Sequence, residues 1–122
     1  MLNKLSQSTI LFVQNDDLSK AIYKGMIKRQ GVKNLFMADT LDIGYEVYKI
    51  NKLDIVIIDL TNFSYGGLDF IKNIKKDNKD IIIVTIVSFK DEVKSDGIDL
   101  IVAKPISIKK IFQKVELLVQ NK

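Results

Sequence analysis

A carboxylate, a lysine, a hydroxyl and a set of amides each stand where an apolar run of this chain gives out. Asp59 follows Ile55 to Ile58, Lys104 follows Ile98 to Ala103, Ser88 follows Ile81 to Val87, and Gln14, Asn15 and Asp16 follow Thr9 to Val13. Short Ile/Val runs bounded by turn residues read as strands buried on both faces, the pattern of a parallel sheet covered by helices. In such a sheet, ligands and chemistry gather at the carboxyl ends of the strands. The chemistry open to this set is phosphoryl transfer to a carboxylate. Asp59 would be the nucleophile, Lys104 would neutralise one phosphoryl oxygen and Ser88 would hydrogen-bond another. A Mg²⁺ held by oxygen ligands could bridge phosphate and protein. Pro105, the only proline, follows the lysine, where a cis bond could aim the side chain inward. Each residue also has a plainer reading. Asp59 can cap a turn, Lys104 can face solvent, Gln14 and Asn15 can be ordinary loop residues, and Thr85 can supply the hydroxyl in place of Ser88 if the strand ends earlier.

Composition narrows the field. The 122 residues contain no histidine and no cysteine, which removes imidazole and thiolate ligation, disulfides and every triad that needs a histidine base. The length suits one domain over 1–122, and 47% hydrophobic with 28% charged residues is an ordinary globular balance. The net charge of +4 comes from lysine, Arg29 being the only arginine, and no basic cluster is interleaved with aromatics. A nucleic-acid reader is expected to use Arg forks, so the lysines are read as solvated helix faces. The longest apolar stretch, Ile81 to Val87, falls far short of the ~20 residues of a membrane span. Met1 to Ser8 lacks the apolar segment of a signal peptide, and a cytoplasmic location is expected.

The elements that must hold these residues follow from periodicity. Thr9 to Val13 predicts a first strand, with Asp16 or Asp17 capping a helix from about Leu18 to Gln30 whose stripe is Leu18, Ala21, Ile22, Gly25 and Met26. Leu35 to Ala38 predicts a second strand, and Asp39 or Thr40 opens a helix to about Ile50 carrying Leu41, Ile43, Val47 and Ile50. After the Asp59 strand, Gly66 and Gly67 lead into a third helix with Leu68, Phe70, Ile71 and Ile74. Lys90 to Ser95 has room for one or two turns of a shortened fourth helix before Gly97. Ile108, Ile111, Phe112, Val115, Leu118 and Val119 recur at helical spacing in the last helix. Five strands alternating with helices require right-handed crossovers and a doubly wound parallel α/β sheet.

The strand-ending Asp59, Gly67 followed by Leu68, the Ser88 hydroxyl, Gly97 and the Lys104–Pro105 pair resemble the response-regulator receiver domain of two-component signalling, over about Ser8 to Leu118. The resemblance implies a flavodoxin-like (βα)5 fold with strand order 2-1-3-4-5. It implies a regulatory phosphoacceptor rather than an enzyme, with Asp59 taking a phosphoryl group from a sensor histidine kinase or a phosphotransfer protein. It also implies Mg²⁺ at Asp59 and the Thr61 backbone carbonyl, with Asn15, Asp16 and, through water, Gln14 as further candidates. Neither nucleic acid nor membrane is an implied partner of this domain.

The chain departs from that family at several residues. Gln14 and Asn15 stand where receivers usually carry two acids. An amide oxygen ligates Mg²⁺ without charge, and one unit-charge attraction at 4 Å is worth roughly 4 kcal/mol at an effective dielectric of 20, so weak metal binding is expected. Ile101 replaces the usual strand-five aromatic, Phe63 stands where proline is common, and only fifteen residues separate Ser88 from Lys104. The alternative these departures raise is a pseudo-receiver, a protein-binding module that works without phosphate.

Overall fold

The computed structural model describes residues 4–89 and 97–120. The strands are β1 (Thr9–Val13), β2 (Asn34–Ala38), β3 (Ile55–Asp59), β4 (Ile82–Val87) and β5 (Leu100–Ala103). The α-helices among the described residues are α1 (Asp17–Arg29), α2 (Leu41–Ile50), α3 (Gly67–Asp77) and α4 (Ile108–Gln120), with a 3₁₀ turn over Lys4–Gln7. The shortened helix expected at Lys90 to Ser95 lies outside the described residues. All strand pairs are parallel, in the order β2-β1-β3-β4-β5, as the alternation of elements requires. None of the described helices is long and apolar enough to cross a membrane.

Because side chains alternate along a strand, the continuous apolar runs feed two cores at once. Val56 and Ile58 of β3 join Leu11, Val13, Phe70, Ile71 and Ile74 under α2 and α3. Ile55 and Ile57 join Ile10, Phe12, Ile27, Ile111 and Phe112 under α1 and α4. Each strand residue of β3 is buried, Asp59 included. Two glycines shape the entry to α3. Gly66 takes φ 83°, a left-handed conformation that glycine adopts without a Cβ penalty, and a Cβ on Gly67 would come within 2.7 Å of Leu60 Cδ2.

The helices match the periodicity unevenly. On α4, Ile108, Ile111, Phe112 and Val115 are buried, as their spacing predicts. On α1 the predicted stripe lies on the outer side. Leu18 is 70% exposed, Ile22 49% and Met26 37%, while Ile27 is the only buried residue of the helix. The inward side of α1 is made instead by Ile27 and by Tyr23 stacked on Phe12 with centroids 5.5 Å apart, while Lys20 pairs with Asp17 and Asp39. On α2, Ile43 and Ile50 are likewise exposed, and Gly44 is the buried residue, with Tyr45 and Tyr48 packed against the core. Leu68 of α3 is also exposed.

Candidate functional site

Backbone pairing brings the polar strand ends together. Gln14 follows β1 and its N–H donates to the Ala38 carbonyl at 3.0 Å. Asp59 pairs in register with Ile86 at the end of β3. The Lys104 N–H donates to the Val87 carbonyl at 2.9 Å, which sets the lysine beside the end of β4. The Lys104–Pro105 peptide is cis.

Asp59 is 2% exposed and both of its carboxylate oxygens have donors. Oδ1 accepts from the Thr61 N–H at 3.0 Å. Oδ2 accepts from Gln14 Nε2 at 2.9 Å and lies 3.1 Å from Lys104 Nζ. A buried charge persists only when paired and hydrogen-bonded, and this one is both. Lys104 is 38% exposed, so its ammonium reaches both the carboxylate and solvent.

Gln14 itself is 1% exposed. Its Oε1 accepts from the Asp16 N–H at 3.1 Å and from Asn62 Nδ2. The hydroxyls of Thr61 and Ser88 lie 3.3 Å apart beside this group. Thr85, the other candidate hydroxyl, is fully buried within β4 and donates to the Leu100 carbonyl at 3.5 Å, so Ser88 is the hydroxyl at the sheet edge.

One of the sequence candidates, Asp16, is engaged elsewhere, and another, Asn15, makes no side-chain bond to the described residues around Asp59. Asp16 is the N-cap of α1, its Oδ2 accepting from the Ser19 N–H at 2.8 Å. Hydrogen bonding to Ser19, through side chain and backbone, holds the Asp16 carboxyl below its ordinary range. Asn15 is exposed. The pocket also reaches into α1. Burial raises the Tyr23 phenol above its ordinary value, Lys104 opposes that shift, and Asp59 and Asp16 reinforce it.

Sequence reasoning missed Asn62 and the Thr61 hydroxyl. The loop after a strand-ending Asp is the only signal that could have marked them. It missed Asp99 as well, which accepts from Lys75 Nζ and from the Ile83 N–H, both at 2.8 Å, and so fastens the start of β5 to α3 and β4.

The residues as arranged do not fit a Mg²⁺ cage. Mg²⁺ keeps several waters and is usually held by one or two carboxylates with further oxygen ligands. Among the described residues no group of three or more acidic side chains could hold a metal. Among the described residues Asp59 is the carboxylate that this group encloses, and the amide facing it presents N–H rather than oxygen. The arrangement can hold a carboxylate in one orientation and offer an ammonium and two hydroxyls to an incoming anion.

Comparisons with known proteins bear on the fold and the family. No curated protein matches the chain in sequence. A receiver domain from Methylobacillus flagellatus, described as CheY-like, is similar at 20% identity with TM-score 0.75, over 88% of this chain and 98% of its own. The Thermotoga maritima response regulator TrrA in complex with Mg²⁺-BeF is similar at 20% identity, TM-score 0.77, over 91% and 98%. A complex of the Saccharomyces cerevisiae phosphotransfer protein Ypd1 and the receiver domain of Ssk1 contains a similar chain at 16% identity, TM-score 0.73, over 88% and 86%. At these identities the structures establish the fold. The model of the response regulator receiver domain matches residues 10–116, nearly the whole described sheet and its helices, and by that match the chain belongs to the response-regulator receiver domain family.

Proposed function

We propose that residues 1–122 form a single receiver unit of two-component signalling, in which Asp59 accepts a phosphoryl group from a histidine kinase or a phosphotransfer protein and the domain acts as a switch rather than as a turnover enzyme. The observation that carries this reading is the buried Asp59 carboxylate at the end of β3 with Lys104 Nζ 3.1 Å away. A carboxylate nucleophile with an ammonium beside it is what transfer of a dianionic phosphoryl group requires. Ser88 and Thr61 supply hydroxyls for the remaining oxygens. The donor is a protein that meets the outer face of α1, where Leu18 and Ile22 stand exposed on a helix that starts beside the pocket. Relatives of the same fold have been crystallised with such proteins: TrrA with the histidine kinase ThkA, and the Ssk1 receiver with Ypd1.

Intact mass after incubation with acetyl phosphate and Mg²⁺ tests the reading. The parent is expected to gain one phosphoryl adduct and Asp59→Asn none. A second reading, the phosphate-independent binding module, draws on one observation: the donors on Asp59 are all supplied from within the chain. Absence of an adduct under every condition would select it.

A further inference from the structure

We propose that Gln14 takes the place of a divalent cation at Asp59, so that the pocket accepts its phosphoryl group without Mg²⁺. This rests on the reading of Asp59 as acceptor. The amide of Gln14 is fixed in orientation from both ends. Two N–H donors, from Asp16 and Asn62, converge on Oε1, and Nε2 faces the Asp59 carboxylate at 2.9 Å. Turning the amide over would set N–H against N–H at one end and oxygen against carboxylate at the other, so the bonding pattern admits one arrangement. The residue is also 1% exposed, which leaves it no solvent-facing alternative.

A cation at Asp59 needs lone pairs directed at it, and an amide NH₂ offers none. To turn its own oxygen toward a cation at Asp59, Gln14 would have to rotate and give up its bonds to Asp59, Asp16 and Asn62 together. The charges also balance without a metal. The carboxylate of Asp59 faces the ammonium of Lys104, and the carboxylate of Asp16 is turned to Ser19. An entering phosphoryl group would therefore meet the Lys104 ammonium, the hydroxyls of Thr61 and Ser88, and the second N–H of the Gln14 amide. The transfer needs no proton and no redox partner. With acetyl phosphate, an Asp59 oxygen bonds to phosphorus as the bond from phosphorus to the acetate oxygen breaks, and acetate leaves with the electron pair.

The test compares adduct formation from acetyl phosphate in EDTA and in Mg²⁺ by intact mass, for the parent, Gln14→Asp and Asp59→Asn. Equal rates for the parent in the two buffers, abolished in Asp59→Asn, are expected. In Gln14→Asp, where a carboxylate replaces the amide, Mg²⁺ should raise the rate roughly tenfold or more. Paramagnetic broadening by Mn²⁺ gives a second readout, absent around residue 59 in the parent and present in Gln14→Asp. If the parent forms adduct only with Mg²⁺, or if Mn²⁺ broadens its Asp59 signals, the role of Gln14 is overturned while Asp59 stands as acceptor. If the parent forms no adduct in either buffer, the acceptor reading falls and this inference with it. The parent comparison decides even if Gln14→Asp fails to fold.

Discussion

The helices α1 and α4 are each 13 residues long and cover the same face of the sheet, yet they use it differently. α4 buries Ile108, Ile111, Phe112 and Val115, whereas α1 buries Ile27 and keeps its longest apolar stripe in solvent. A helix whose apolar residues are all inward contributes packing. One that presents Leu18 and Ile22 outward, on a helix that starts beside the Asp59 pocket, has apolar surface left for a partner. Both stripes recur at helical spacing, but the apolar residues of α1 are fewer and less segregated than those of α4, and its inward side is built from other residues. On α1 that side is filled by Ile27 and by the Tyr23 ring against Phe12.

The largest effect that would sharpen this contrast is Phe112→Ala on α4, expected to cost about 3–5 kcal/mol in urea unfolding because a fully packed ring leaves a cavity. Ile27→Ala, the corresponding truncation on α1, should cost about 2–5 kcal/mol by the same measurement. A negligible loss there would mean that α1 is not seated through Ile27.

A smaller effect concerns the start of α1. The Asp16 carboxyl is lower in the folded protein than in the unfolded chain, so its contribution is fully present above the unfolded value of about 3.9 and is lost as pH falls through the folded one. Asp16→Asn keeps an acceptor for the Ser19 N–H but removes the charge. The variant should show a shallower loss of stability than the parent as pH falls below about 4. An unchanged acid limb would mean that the cap carries no pH dependence.

The smallest effect on stability belongs to the exposed stripe. Leu18→Ser with Ile22→Ser should change unfolding by no more than about 0.5 kcal/mol per site. The same variant should take its phosphoryl group from acetyl phosphate at the parent rate and from a protein donor more slowly. Equal slowing with both donors would place the stripe's effect in the pocket and erase the contrast between the helices.

Much of this was legible in the residues. The strand order and the convergence of Asp59, Lys104 and Ser88 follow from unbroken Ile/Val runs, because a strand buried on both faces leaves its first polar residue at the sheet edge. The orientation of α1 was not legible, since an apolar stripe reports a period and not the side pressed to the sheet. Gln14 was recognisable only as a missing acid. That its amide donates to Asp59 depends on the Asp16 N–H and on Asn62, 48 residues away in sequence, and no local pattern carries such a bond.

The burial of β3 has a consequence for local stability. Its amides lie between β1 and β4 under helices on both faces, so they are expected to exchange with solvent hydrogen only when the whole domain opens. Asp59 rides on that slowest-opening segment, while Thr61, Asn62, Ser88 and Lys104 sit on connecting segments, whose amides are expected to exchange through local opening. Asp59 is thus expected to be the fixed point of the site, with the loop residues around it exchanging first.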